Sequence, residues 1–377
     1  MSVPQTGSAT STSRVERLAA ELDGLGVEAL LVDSLVDVRY LTGFSGSHAL
    51  ALVVGEAAAR ALGRHRFLTD FRYRAQSAEE VPDSFEREIV AGELLEAVGG
   101  LLAGSPTGRL GFDEAKLSVK AHRRLSQTLP EGWTLVPCNG AVERLRAVKD
   151  EHEIARIAAA AALADEALRN VLEGGLAGHT EREVALELEL RMRRLGAEAP
   201  SFPSIVAAGA HGALPHAAPR EQEIERDVLV TIDWGALHEG YCSDCTRTYA
   251  TGEAISQLAR DTYALVLDAQ ERSLAAVAVG RNGREVDSVA RSVIEGAGQG
   301  EHFGHGLGHG VGMEIHEGPR LSRTAPDDPL QAGNVVTVEP GVYLPGELGV
   351  RIEDLLVVRS EGPRLLTALS KELTVIA

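Results

Sequence analysis

The sequence predicts a two-domain protein of the α+β class, a smaller α/β N-terminal domain followed by a larger α+β one, and three observations carry that prediction. The chain has 377 residues, more than one hydrophobic core ordinarily serves, so two cores are the natural expectation. Between residues 14 and 140 short apolar runs alternate with helical stretches. Beyond residue 141 strand runs and helix runs are segregated, the order of an α+β domain rather than of repeated βαβ units.

The opening, MSVPQTGSATSTS, is polar and has no basic start leading into an apolar core. Residues 1–13 are therefore expected to form a disordered tail, neither a signal peptide nor an anchor. Residues 14–25 read as a helix. Ala29-Leu-Leu-Val and the run ending in Tyr40-Leu-Thr-Gly-Phe both alternate toward strand, with turn residues between them. Strands follow over 50–54, 66–69, 109–112 and 133–137, and helices over 93–103 and 118–128. No cluster of ligand or nucleophile residues stands out in this first domain, 14–140.

A boundary is placed near Cys138-Asn-Gly, and the second domain, 141–377, leads through Val142-Glu-Arg-Leu-Arg-Ala-Val-Lys-Asp into a long helix beginning near Glu151. Its alanine-rich segment 155–172 is interrupted by Arg156, Asp165, Glu166 and Arg169, so it reads as an amphipathic helix and not a membrane span. A second helix starts at Thr180, where Thr180 and Glu183 have capping-box spacing. Two more are expected over 255–279 and 285–297.

Composition narrows the function classes. A hydrophobic fraction of 44% and a charged fraction of 24% are those of a soluble globular protein. Three cysteines, an odd number, argue against a disulfide framework and for a reducing, cytoplasmic setting. The net charge of −18 and the absence of a basic footprint argue against nucleic acid as a partner. No apolar run approaches the roughly 18 residues of a membrane helix.

Chemistry concentrates in the second domain. Asp233 ends the apolar run Val228-Leu-Val-Thr-Ile-Asp and Asp244 opens Asp-Cys-Thr-Arg-Thr-Tyr, with His238-Glu239-Gly240 between them. A hairpin turn centred between His238 and Glu239 would set 233 opposite 244, roughly 5 Å apart on one face. His309 lies in HGLGHGVGMEIHE, Glu339 in Val-Thr-Val-Glu-Pro-Gly and Glu353 in Gly-Val-Arg-Ile-Glu-Asp. Singly, each has a plain reading, a turn aspartate or a packed histidine; together, four carboxylates in one pocket would repel one another unless cations neutralised them. Two divalent ions balance that charge. An oxygen-rich shell with one imidazole prefers Mn²⁺, and Co²⁺ or Zn²⁺ also suit it.

Two neighbouring patterns point elsewhere and carry less. Glycines at 304, 306, 308, 310 and 312 lack the Gly-Lys-Ser/Thr ending of a phosphate loop, and are expected to let the backbone pass close to metals and substrate. Cys242-Ser-Asp-Cys245 has CxxC spacing, but on a strand its cysteines point to opposite faces, which suits packing rather than metal or redox chemistry.

The ligand motifs, in this order and with these flanks, resemble the pita-bread metallopeptidases, and among them the branch of Xaa-Pro aminopeptidase (aminopeptidase P) and Xaa-Pro dipeptidase (prolidase). Leu68-Thr-Asp-Phe-Arg-Tyr similarly resembles the creatinase/prolidase N-terminal domain. The resemblance covers nearly the whole chain and is strongest over 144–358. It implies that Asp233 chelates one metal, that His309 and Glu339 hold the other, that Asp244 and Glu353 bridge both, and that a hydroxide between the metals is the nucleophile. It also places His216, His305 and His316 around the substrate, where a pKa near 6.5 suits proton handling. Arg351, two residues before Glu353, is expected on the same side of a strand as that ligand, near the carboxylates or the substrate end. His211 and His302 lie off these motifs and are read as incidental.

The same resemblance implies peptide substrates with proline at the second position, and a homodimer. Methionine aminopeptidases generally lack an N-terminal domain of this size, and creatinase does not keep the metal ligands. Within the proline-specific branch the expectation is aminopeptidase P, with prolidase as the alternative. A reading from another class is a non-catalytic pita-bread binding protein, although such relatives typically lose ligands.

Overall fold

The computed structural model describes residues 13–104 and 107–377. Apart from Ser13, the expected N-terminal tail lies outside the described residues. The chain divides into two compact units, meeting between Arg146 and Ala147. Among the described residues no helix is long and apolar enough to cross a membrane.

The first unit opens on the helix Arg14–Leu25, fixed at its start by a capping box between Ser13 and Glu16 and closed by Gly26 in the left-handed region. Six strands, β1 (Ala29–Val32), β2 (Ala49–Val54), β3 (His65–Thr69), β4 (Phe85–Ile89), β5 (Gly108–Phe112) and β6 (Trp133–Pro137), form one mixed sheet in the order β4-β3-β2-β1-β5-β6. β1 pairs antiparallel with β2 and parallel with β5. Every residue of these two central strands β1 and β2 is buried, which is why they read as continuous apolar runs.

Two elements differ from expectation. The run ending in Tyr40-Leu-Thr-Gly-Phe is the helix Leu35–Thr42 and not a strand. The alternation of Val36, Val38 and Tyr40 imitates a strand, but Ser34 caps the Asp37 amide and Gly43 closes the helix at a φ of 78°. Strand β4, in contrast, carries Glu86, Arg87 and Glu88 on an edge of the sheet, where charge hides the apolar signal.

In the second unit the helices Glu151–Leu172 and Glu181–Leu195 pack on each other, as do Gln257–Ala276 and Gly283–Gly296. The Thr180–Glu183 capping box is present, Asp150 with Glu153 forms another at the first of these helices, and a third, Asn282 with Glu285, starts the last helix earlier than its apolar pattern does. Between and after these helices run β7 (Ala199–Pro200), β8 (Ile205–Ala208), β9 (Leu229–Trp234), β10 (Ala236–His238), β11 (Tyr241–Cys242), β12 (Cys245–Ala250), β13 (Gly308–Gly310), β14 (Glu317–Leu321), β15 (Val335–Val338), β16 (Gly341–Leu344), β17 (Leu348–Arg351), β18 (Asp354–Val357) and β19 (Arg364–Leu365).

The two principal sheets are β12-β9-β8 and β14-β13-β15-β18-β19. One core sets Ala164, Leu168, Leu188 and Met192 of the first helix pair against Val206, Val230, Ile232 and Trp234. The other sets Val266, Ala269, Val286 and Ala290 of the second pair against Val336, Val350, Ile352 and Leu356. Strand β12 is tied to the segment running from β17 into β18 by polar links, Glu353 N to Thr246 O at 3.1 Å and Thr248 Oγ1 to Arg351 O at 2.9 Å. The metal-ligand candidates stand along this junction.

Candidate metal centre

Asp233 sits one residue from the end of β9, and the residue opposite it is Thr246, not Asp244. The expected register is off by two because the turn falls one residue later: Glu239 and Gly240 take φ of 47° and 79°, and His238 pairs with Tyr241. Two central residues in the left-handed region are what a type I′ hairpin turn requires. Asp244 consequently falls in a break between β11 and β12. There a Cβ at position 235 would overlap Ser243 O, so the strands approach at Gly235 with room for no side chain.

The break nevertheless gathers the acids: one carboxylate oxygen each from Asp233, Asp244 and Glu353 lie within 4.8 Å of one another. Glu353 occupies the two-residue gap between β17 and β18. Thr246, opposite Asp233, pins it by donating from Oγ1 to Glu353 Oε2 at 2.8 Å. Arg351 ends β17, so the shared strand expected for it and Glu353 is interrupted. Its guanidinium instead donates to Asp233 Oδ2 at 2.8 Å, to Tyr343 OH at 2.9 Å and to Thr246 Oγ1 at 3.1 Å.

His309 is the middle residue of β13. Its Nε2 lies 3.2 Å from Glu339 Oε1 and 3.6 Å from Asp244 Oδ2, which joins the second pair of candidates to the first three. Nδ1 is 3.1 Å from Gly310 O; a proton donated there leaves Nε2 free to act as a ligand. Thr337 serves both residues, accepting from His309 N at 3.1 Å and donating to Glu339 Oε1 at 3.0 Å. Among the glycines around His309 a Cβ would overlap Thr337 O at Gly308, Gly318 O at Gly310 and the Glu317 carboxylate at Gly312, while Gly306 and Gly308 also line the cavity that holds the ligand candidates.

The electrostatics are those of a site built for cations. Burial, followed by the charges of Glu353, Asp233 and Glu339, pushes Asp244 well above the ordinary carboxylate range. Burial and the charges of Glu339 and Asp233 do the same to Glu353. Asp233 is raised chiefly by burial, against the opposing pull of Arg351. His309 is lowered by burial, but its hydrogen bond to Glu339 and the surrounding charges outweigh that and hold it above its usual value. Asp233 Oδ1 and Glu353 Oε1 are buried without a hydrogen-bond partner among the described residues. Such orphaned oxygens in a low-dielectric site need a cation or a proton. The five side chains therefore fit divalent metal.

All five line one cavity of about 810 Å³ together with His216, His305, His316, Tyr343 and Arg351. His316 stacks edge-on against His309, with ring centroids 4.4 Å apart, and burial first, then the charge of His309, lowers its pKa. His305 bonds through Nε2 to Tyr343 OH at 2.9 Å, and burial lowers its pKa as well. His216 is exposed in the middle of the loop that follows β8. His211 and His302 do not line the cavity; they bond to Glu181 and Gln299. Sequence reasoning missed Tyr343, Thr246 and Thr337. Tyr343 had one available signal, a lone tyrosine in the short apolar run between two ligand motifs. Cys242 and Cys245 form no disulfide among the described residues and are buried in two different core clusters.

Comparison with known proteins places the chain in a family. Residues 155–360 match metallopeptidase family M24, and residues 14–148 match the creatinase/prolidase N-terminal domain. The Xaa-Pro dipeptidase of Pyrococcus horikoshii is 33% identical over 96% of this chain and 98% of its own length. The solved Xaa-Pro dipeptidase from Bacillus anthracis superposes with a TM-score of 0.90 at 38% identity, over 96% of this chain and 99% of that one. The X-Pro aminopeptidase from Thermotoga maritima does so with a TM-score of 0.86 at 35% identity, over 97% and 100%. With both domains matched in order and the architecture shared from end to end, the chain belongs to metallopeptidase family M24, as a pita-bread peptidase with a creatinase/prolidase N-terminal domain.

Proposed function

We propose that the protein hydrolyses the Xaa-Pro bond at the N-terminus of peptides, with Asp233, Asp244, His309, Glu339 and Glu353 holding two divalent ions, Mn²⁺ by preference. The observation that carries this reading is the gathering of these side chains, two of them with orphaned buried oxygens, in a cavity that also presents three histidines. An oxygen-rich shell with one imidazole suits Mn²⁺, and Co²⁺ or Zn²⁺ also fit it. Bound there, the ions lower the pKa of water and polarise the scissile carbonyl.

The chain's own residues do the rest. Arg351 holds Asp233 in place and fixes the hydroxyl of Tyr343, which in turn orients His305. His316, its pKa lowered first by burial and then by the charge of His309, can take a proton from the attacking water and hand it to the departing nitrogen. That nitrogen belongs to proline, a tertiary amide without N–H and with a fixed ring. Phe202, Pro203 and Ile315 offer the ring an apolar lining. A homodimer in a cytoplasmic setting completes the proposal.

The cavity volume accommodates peptides longer than two residues, which favours an aminopeptidase P-like activity. A second reading, an Xaa-Pro dipeptidase, is favoured by Arg320. It lines the same cavity, is exposed and has no ion-pair partner among the described residues, so it could hold a dipeptide's carboxylate. Release of Xaa from Xaa-Pro and Xaa-Pro-Yaa, with Xaa-Ala as control, separates the two. Cleavage of the longer peptide establishes the first reading and cleavage of the dipeptide alone the second. Failure of both with metal bound returns the non-catalytic binding role.

A further inference from the structure

We propose that Glu181, which does not itself line the cavity, is a positioning residue that ties together both ends of the loop presenting His216. The inference rests on His216 acting on substrate, as proposed above. The loop leaves β8 as the 3-10 turn Gly209–Ala213, carries Pro215 and His216 to the cavity and returns at Arg220. His216 has no hydrogen-bond partner among the described residues, so the loop alone sets where its ring stands.

Glu181 opens the helix Glu181–Leu195 and its side chain is fully buried. Its carboxylate accepts from Ala208 N at 2.9 Å, just before the loop, and from Arg220 N at 3.0 Å, just after it. Arg220 adds Nε and Nη2, both at 3.1 Å, and His211 Nδ1, inside the loop, lies 2.9 Å from Oε2. Burial raises the Glu181 carboxyl, but Arg220 and these backbone donors outweigh it and keep the acid ionised. The tether at the base is continued upward. A Cβ at Gly349 would overlap Gly212 O, and Arg351 Nη1 donates to Pro215 O at 3.2 Å. One buried carboxylate thus fixes the segment whose far end abuts the residue that holds Asp233.

The helix itself does not depend on this side chain. Thr180 and Glu183 cap it, and Glu181 N and Arg182 N donate to Gln222 O and Arg220 O. Glu181→Gln therefore loosens the loop without unfolding the unit, and Glu183→Gln, which removes a charge from the same helical turn while leaving the capping box able to form, is the control with unchanged activity.

The test joins amide exchange of the full-length protein with a kinetic cycle. In Glu181→Gln, exchange across 208–220 is expected to quicken, and in Glu183→Gln to stay as in the wild type. Metal stoichiometry is unchanged, and kcat/KM for Xaa-Pro-Yaa falls about tenfold to a hundredfold, the usual cost of a misplacement near 1 Å. Glu181→Asp, which keeps the charge, recovers part of that loss. In a His216→Ala background Glu181→Gln costs little more, because both changes act through one ring. Unchanged exchange across 208–220 overturns the proposal whatever the activity, and so does a loss that multiplies with that of His216→Ala. If Glu181→Gln does not fold, Arg220→Gln removes the guanidinium half of the tether and is read in the same way. A wild type that cleaves no Xaa-Pro peptide refutes the functional reading, while the exchange measurement still decides the tether.

Discussion

Arg351 and Asp233 form a buried ion pair at 2.8 Å, with side-chain exposures of 4% and 14%, so one metal-ligand candidate is held by a fixed internal cation. Arg351→Met removes the fork that also reaches Thr246, Tyr343 and Pro215. Breaking one side of a buried pair costs about 3 to 5 kcal/mol. The denaturation midpoint of the metal-free protein should fall accordingly, and metal affinity measured by calorimetry should fall with it. An unchanged midpoint would show that Asp233 does not depend on this partner.

The raised carboxyls of Asp244 and Glu353 link stability to pH in the metal-free protein. A carboxyl whose folded pKa lies above its unfolded value contributes stability at low pH that is lost as pH rises through the folded value. For these two that window opens above the ordinary carboxylate range near pH 4. Bound cations remove the penalty. The gain in Tm from adding Mn²⁺ should therefore grow between pH 5 and pH 8, the range to scan by calorimetry. A gain independent of pH would contradict the shared charge of the cluster.

Asp244→Ala or Glu353→Ala should abolish peptide cleavage and reduce bound metal, measured by atomic emission on dialysed protein. Asp244→Asn should also make the metal-free protein more stable than the metal-free wild type, because it deletes a buried like charge without changing volume. Unchanged cleavage in either alanine variant would sink the site assignment.

His316→Ala should lower turnover about 10²- to 10⁴-fold, as loss of a general acid or base does, with metal content unchanged. Loss of metal instead would make His316 a ligand.

Gly308→Ala places a Cβ against Thr337 O, the residue that serves both His309 and Glu339. The strand must move, at about 1 to 3 kcal/mol. Thermal unfolding should register that loss, and it should exceed the loss from alanine at Gly304, where the space is open.

The metal-ligand candidates were legible because the chemistry demands particular residue types, each set in a short, distinctive motif. The geometry joining them was not. The hairpin register turns on Glu239, a non-glycine residue in the left-handed region, and the overlooked signal was Gly240 after it, since a type I′ turn needs positive φ at both central residues and His238-Glu239 contains no glycine. The helix Leu35–Thr42 was hidden by its own alternation, since its cap at Ser34 weighs less in a pattern than three apolar residues two apart. Thr246, Thr337 and Tyr343 are common hydroxyl residues whose role exists only through tertiary neighbours. The glycines around His309 carry two constraints at once, since Gly306 and Gly308 line the cavity and Gly308 and Gly310 also admit the backbone of Thr337 and Gly318, which only the tertiary structure shows.

The most direct test of the metal centre is titration of metal-free protein with Mn²⁺, counting bound ions by calorimetry while following release of Xaa from Xaa-Pro-Yaa in the same samples. A dinuclear hydrolytic centre predicts no cleavage at zero metal and full activity once two ions are bound per chain. Cleavage undiminished in the metal-free protein, or two bound ions with no cleavage of any Xaa-Pro substrate, would contradict it.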